Sequence, residues 1–353
     1  MLHGGEIYDK RIDLDFSVSL NPYPCPEEVK KALTGAVCDV DKYPDMDQRN
    51  FRQAVARAEG VDASCVIGGN GASELLSAIA MLLSPKKALL PVPSFYGYVH
   101  ALGMVRECET ATYQLSEDDD FELTMDFVGA ITEDVDLVIL GNPNNPTGRC
   151  VKKDVFEAVL KRCKEAGAAV LVDECFYKLS DGQSSARAYI GQYDNLYVVD
   201  AYTKLFSIPG VRVGSCLSQA ANVERLRRFL PEWNMSAFAE AAGVACANIL
   251  AAGTRPEGSV DPAAGSADNY IQKSLDMIRE ERSFLTSRLL KKGIKVFYSD
   301  TNFVLLRGSN LYEKLLDKHI LIRDCATFEG LPEGYYRIAV KDHVSNERLI
   351  EVL

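Results

Sequence analysis

The chain has 353 residues, 47% hydrophobic and 25% charged, with 39 basic against 50 acidic residues and a formal net charge of -11. That composition fits a globular protein with one large and one smaller domain. The acidic balance argues against a nucleic-acid binder, which carries a basic patch, but a local cluster of cations can still receive a small anionic substrate. The ten cysteines include no C-x-x-C pair and the four histidines are dispersed. Neither a zinc site nor a disulfide framework is expected, and reduced thiols suit a cytoplasmic protein. The first fifteen residues lack the apolar run of a signal peptide, and no stretch approaches the length of a membrane span.

Along the chain, the segment Gly68-Gly69-Asn70-Gly71-Ala72-Ser73-Glu74 opens an apolar helix expected over 74–83. Exposed amides at such a helix start suit a phosphate. The segment also has some likeness to a dinucleotide fingerprint, but Glu74 stands where the third glycine belongs. A buried strand is expected at 88–91, and the acidic run 118–120 reads as a solvated turn. The strand expected at 137–140 leads into Asn142-Pro143-Asn144-Asn145-Pro146-Thr147-Gly148, a rigid turn rich in amide donors. After a helix at 153–166, the strand 169–172 ends on Asp173-Glu174. A carboxylate there sits where parallel sheets hold their ligands, although capping a helix is an alternative use.

The strand expected at 196–199 runs into Tyr202-Thr203-Lys204-Leu205-Phe206-Ser207-Ile208-Pro209-Gly210-Val211-Arg212-Val213-Gly214. A lysine just past a buried strand is partly desolvated, which lowers its pKa and favours imine formation with an aldehyde. Arg212, eight residues on, suits a phosphate. A helix follows at 222–229, and the Gly-, Pro-, Ala- and Ser-rich stretch 253–267 reads as a loop. A helix at 270–291, strands at 295–297 and 302–306, a helix at 310–318 and a strand at 335–340 form a smaller α+β unit. Alternating strands and helices before it imply an α/β domain, its mainly parallel sheet covered on both faces. The expected division is an N-terminal arm and part of the small domain over 1–40, a large domain over 41–245 and a small domain over 246–353.

The motifs N-P-x-N-P-T-G, D-E-x-[FY] and [ST]-K-x-x-x-x-x-G-x-R-x-G, in this order, resemble the class I/II aminotransferase family of pyridoxal-phosphate (PLP) enzymes, and the resemblance spans nearly the whole chain. It implies the PLP-dependent transferase fold type I, with Lys204 carrying PLP as a Schiff base and moving protons. It also implies that Asp173 pairs with the pyridine nitrogen and Asn145 with the phenolic oxygen. Gly71, Ala72, Ser73, Thr203 and Arg212 would hold the phosphate, Phe95 would stack on the ring, and Arg337 would fork onto the substrate carboxylate. Tyr43 would reach the cofactor phosphate of a partner subunit, implying a homodimer with shared sites. Phe176 departs from the family, which commonly has tyrosine there. Tyr177 is adjacent, but in an extended chain it points to the opposite side.

Within the family, His3-Gly4-Gly5, Asp15-Phe16-Ser17, Asn21-Pro22, Ile208-Pro209-Gly210 and the stretch 320–331 resemble the threonine-phosphate decarboxylase branch, a sister of the histidinol-phosphate aminotransferases. That likeness implies decarboxylation of L-threonine O-3-phosphate in cobalamin side-chain synthesis, with histidinol-phosphate or another aminotransferase activity as the alternative and a non-catalytic PLP-binding module as a third. His3, Asn21 and Arg323 join Arg337 as candidate substrate contacts. Ser19 stands where relatives commonly have asparagine.

Overall fold

The computed structural model describes residues 4–182, 184–253 and 267–353. The strands are, in chain order, β1 (Leu14–Asp15), β2 (Val66–Gly69), β3 (Lys87–Val92), β4 (Glu109–Gln114), β5 (Leu137–Gly141), β6 (Ala169–Asp173) and β7 (Leu196–Asp200). They continue with β8 (Gly214–Leu217), β9 (Lys295–Val296), β10 (Phe303–Arg307), β11 (Ile320–Leu321), β12 (Arg323–Asp324) and β13 (Tyr335–Ala339). Seven of them form one sheet in the order β2-β8-β7-β6-β5-β3-β4. Its pairs are parallel except where β8 runs antiparallel to β7 and β2.

Helices cover both faces of this sheet, and for that reason its central strands are continuously apolar rather than alternating. Val138, Leu140, Val170, Val172 and Val198 pack into one core with helices Arg49–Glu59, Lys153–Ala166 and Ala237–Gly253. Leu137, Ile139, Leu171, Tyr197 and Val199 point the other way, onto helices Ala72–Leu83, Tyr96–Leu102 and Ala220–Arg227. The helix Lys153–Ala166 presents Val155, Phe156, Val159, Leu160 and Cys163 on one buried stripe, and each such large apolar side chain contributes about 1.5–3 kcal/mol on burial. It stops at Gly167, whose φ of 74° lets the chain turn back toward β6.

The second unit is a four-stranded antiparallel sheet, β12-β13-β10-β9. Its own core includes Phe16, Leu285, Leu289, Val304, Ile338 and Leu349. The N-terminal segment belongs with it, because β1 pairs with β11. The expected boundary at 245/246 falls inside the unbroken helix Ala237–Gly253, which packs in the core of the large sheet. Apart from its ends, the loop expected over 253–267 lies outside the described residues.

Candidate active site

The carboxyl ends of β5, β6 and β7, the start of helix Ala72–Leu83 and the β12–β13 pair meet around a cavity of about 250 Å³. Ligands of open α/β sheets bind at such strand ends. Lys204, Asp173, Asn145, Thr203, Ala72, Ser73, Phe95, Arg212, Arg323 and Arg337 all line it.

Lys204 sits in the one-turn helix Tyr202–Leu205 that follows β7. Burial, and then the charges of Arg337 and Arg212 against opposing Cys175 and Asp173, bring its amine down to about 8. Its Nζ lies 5.6 Å from the centre of the Phe176 ring. A substantial neutral fraction at physiological pH makes this amine a competent nucleophile toward an aldehyde.

Asp173 ends β6. Its carboxylate accepts a hydrogen bond of 3.1 Å from the Tyr98 hydroxyl and one of 3.0 Å from the Cys175 amide. Burial raises its pKa, and those donors oppose the rise. Sequence reasoning missed Tyr98 and Cys175. Tyr98 had a readable signal, being three residues from Phe95 at a helix start, and the two rings meet edge to face at 5.6 Å.

One side of the cavity is built largely from backbone. Gly71 caps helix Ala72–Leu83 with a φ of 80°. A Cβ on it would stand 2.4 Å from Arg212 Nη2, and one on Gly214 would stand 2.8 Å from the amide nitrogen of Ala72. Gly71 is therefore needed for its positive φ, and Gly214 for the close approach of backbone. Helix-terminal amides, Ser73, Thr203 and the Arg212 guanidinium line this side of the cavity, a donor set of the kind that suits an anion. With the Phe95 ring, the Asp173 carboxylate and the Lys204 amine, this donor set fits PLP group by group.

On the opposite wall, Arg323 and Arg337 face each other directly as register partners of β12 and β13. Both are buried, at 3% and 7% exposure. Arg337 donates to the Ser17 carbonyl at 2.8 Å and to Asn145 Oδ1, and its Nε is buried without a partner. Burial, together with the charge of Arg323, lowers its pKa to about 10. Burial also lowers Arg323, which donates to Thr327 Oγ1 at 3.0 Å. Among the described residues no carboxylate comes within ion-pair distance of Arg337. Like charges opposite one another across a sheet are destabilising, and a bound anion removes that cost.

Other expected residues are placed elsewhere. Asn21 is buried outside the cavity, and its amide is fully used: Nδ2 donates to the Leu205 carbonyl and Ser274 Oγ, both at 2.8 Å, and Oδ1 accepts from the Tyr23 amide. It ties the N-terminal segment to the Lys204 loop rather than facing a substrate. Tyr43 is 82% exposed and packs on Trp233 at 4.9 Å, away from the cavity. His3 lies outside the described residues. Tyr177 donates to the Gly182 carbonyl at 3.0 Å and does not line the cavity, so it does not take over the role of a tyrosine at 176. Ser19, in contrast, does line the cavity, and its buried hydroxyl has no partner. Among the described residues no cluster has the makings of a metal site, and no helix is long and apolar enough to cross a membrane.

This constellation on this sheet defines a PLP-dependent enzyme of fold type I, and the chain belongs to the aminotransferase class I and II family, whose profile matches residues 11–353. Threonine-phosphate decarboxylase of Salmonella typhimurium is 32% identical over 346 residues, covering 96% of this chain and 90% of that protein. The crystal structure of histidinol-phosphate aminotransferase from Clostridium acetobutylicum superposes with a TM-score of 0.85 at 30% identity, covering 96% of this chain and 98% of that one. The structure of L-threonine-O-3-phosphate decarboxylase from Porphyromonas gingivalis gives 0.79 at 25% identity, with coverage of 96% and 98%.

Proposed function

We propose that this chain binds PLP at Lys204 and decarboxylates a phosphorylated amino acid, L-threonine O-3-phosphate. The observation that carries the substrate class is the facing pair Arg323 and Arg337, buried in the same cavity as Lys204. Two opposed guanidiniums call for a ligand with two anionic groups, and an amino acid bearing a phosphate has them. The likeness to threonine-phosphate decarboxylases supports the particular substrate.

Bound PLP supplies an electron sink for the pair released when a bond at the substrate Cα breaks. The chain's residues do the rest. Asp173, held by Tyr98 and the Cys175 amide, pairs with the ring nitrogen and keeps it protonated. The Gly71–Ser73 helix start, Thr203 and Arg212 anchor the cofactor phosphate. Phe95 would stack on the ring, and Asn145 would donate to its phenolic oxygen. Arg337 receives the substrate carboxylate in a forked pair, and Arg323 receives the substrate phosphate. Where these two arginines hold the substrate would set which Cα bond is aligned for cleavage, and hence whether CO2 or a proton leaves. After CO2 departs, Lys204 returns a proton to Cα. Tyr43 would serve the cofactor phosphate of a second subunit in a homodimer, and the ten free cysteines are in keeping with a cytoplasmic enzyme.

The test is a paired assay of purified protein loaded with PLP. One arm receives L-threonine O-3-phosphate and is followed for CO2 and aminopropanol phosphate. The other receives L-histidinol phosphate with 2-oxoglutarate and is followed for glutamate. CO2 in the first arm alone is the expected result. Glutamate in the second alone makes the chain an aminotransferase, and silence in both refutes the phosphorylated-substrate reading.

A further inference from the structure

Five ionisable side chains, Glu59, Glu174, Lys178, Arg187 and Asp200, are packed together near the cavity without lining it. Arg187 stands at the centre. Its Nη2 is 2.9 Å from Asp200 Oδ2, its Nη1 3.4 Å from Glu174 Oε2 and its Nε 3.3 Å from Glu59 Oε2. Lys178 bridges Asp200 and Glu59 at 2.5 and 2.9 Å. Side-chain exposure is 11% for Arg187, 3% for Asp200 and nil for Glu174. Three carboxylates thus face two cations in a dry setting. Desolvating so many charges is costly, and apolar packing of equal volume would serve stability as well or better. The arrangement makes sense for what it holds in place.

Two of the partners, Glu174 and Asp200, are tied to residues of the active site. Glu174 follows Asp173 directly, and its Oε1 accepts from the Ala186 amide at 2.7 Å and from Asn142 Nδ2 at 3.2 Å. Asn142 opens the turn that carries Asn145, and its Oδ1 holds the Val151 amide at 3.0 Å. Asp200 ends β7, and its Oδ1 accepts from the Ala201 amide at 2.7 Å, just before the helical turn of Lys204. One guanidinium therefore links the ends of β5, β6 and β7. Its charge matters as well: the negative charge of Asp200 acts on Asp173, adding to burial in raising that carboxyl's pKa.

We propose that Arg187 is a positioning residue that locks Asp173, Asn145 and Lys204 into one frame and offsets the carboxylate charge behind them. This inference rests on the reading that PLP attaches to Lys204. Arg187→Met leaves three carboxylates against one cation. A uniform unit charge about 10 Å away at an effective dielectric of about 20 moves a pKa by about one unit.

The experiment titrates the near-visible absorption of the PLP-loaded protein with pH, for wild type, Arg187→Met, Arg187→Lys and Lys178→Met. The extra negative charge retains the proton of the chromophore, so the transition midpoint is expected to rise by about one pH unit in both methionine variants. Arg187→Lys keeps the charge and the midpoint, but a single ammonium cannot bridge three carboxylates, so its kcat is expected to fall about tenfold. If Arg187→Met does not accumulate as folded protein, Lys178→Met carries the same electrostatic test and Arg187→Lys the positional one. Unmoved midpoints in folded methionine variants, or full kcat in Arg187→Lys, overturn the inference. A wild type without the near-visible band overturns the cofactor reading, and this inference with it.

Discussion

Replacing Arg337 by methionine is expected to cripple turnover while leaving thermal stability nearly unchanged. Methionine keeps the length and apolar bulk of the side chain and removes its charge and donors. Burial and the charge of Arg323 hold the guanidinium at about 10. Against an ordinary value above 12, that corresponds to about 3 kcal/mol of destabilisation. Neutral pH lies below both values, so the whole penalty is present at pH 7 and the substitution relieves it. In the opposite direction, the Ser17 carbonyl and Asn145 Oδ1 lose their donor, at about 1–3 kcal/mol for the buried Ser17 acceptor and less for half-buried Asn145. The two effects offset to within a couple of kcal/mol, which keeps the change in Tm to a few degrees. Substrate binding has no such offset. Losing a forked pair with the carboxylate removes about 3–4 kcal/mol, a drop in kcat/KM of about 10²- to 10³-fold. The assay pairs steady-state CO2 release with thermal melts in the presence and absence of a saturating phosphoamino acid. Ligand should raise the Tm of the wild type and not of the variant. A variant whose KM and ligand-induced rise in Tm match the wild type would remove Arg337 from the substrate site. Loss of more than about ten degrees without ligand would refute the stability argument.

Three further outcomes follow from the site and its supports. Burial and the neighbouring arginines bring Lys204 to about 8, so the rate at which apoprotein develops the near-visible PLP band should climb with pH, with a midpoint near 8, and then level off; a midpoint at an ordinary lysine value contradicts this. Gly71→Ala introduces a Cβ 2.4 Å from Arg212 Nη2 at a φ of 80°. PLP affinity measured by absorbance titration should fall at least about tenfold, and wild-type affinity in that variant would mean that this side of the cavity does not hold the phosphate. His343 Nδ1 lies 2.8 Å from buried Glu281, which raises the His343 pKa. A raised folded-state pKa gives stability that is fully present below about 6.5 and is lost as pH rises through the folded value. The Tm difference between wild type and His343→Gln should therefore be larger at acid than at alkaline pH, and an equal difference at both would show the pair to be inert.

The central strands were readable because sheet faces buried on both sides leave continuous apolar runs. The segments expected at 137–140, 169–172 and 196–199 reappear as β5, β6 and β7, each one residue longer. That added residue is Gly141, Asp173 or Asp200, where the chain turns toward the cavity. Strand β4 was not readable. Glu109–Gln114 lies at the sheet edge and is largely exposed, so it carries no apolar run. Strand β8 is only four residues of Gly, Ser, Cys and Leu, and follows the lysine loop with no breaker of its own. Helix Ala237–Gly253 is apolar nearly all round and gives little amphipathic contrast, because it is wedged between other helices and the sheet.

The site divides in the same way. Lys204, Asp173 and Asn145 could be placed at the cavity because each closes a strand or lies in the turn just beyond one, and strand ends are where this class of sheet exposes side chains to a ligand. Asn21 shows where motif reading fails: its partners Ser274 and Tyr270 come from the long helix Ala267–Lys291, far along the chain, and only tertiary packing shows that its amide is already spent on structure. The arginine pair shows the opposite case. Arg323 and Arg337 carry no local pattern that marks them as neighbours, and their apposition is created by the antiparallel register of β12 and β13. A slip of one residue would turn one of them to the other face of the sheet. Register thus brings two scattered cations to facing positions on one wall of the cavity, an arrangement that neither residue provides alone. Two buried like charges so placed repel one another, and a ligand with two anionic groups would relieve that repulsion more fully than one with a single anionic group.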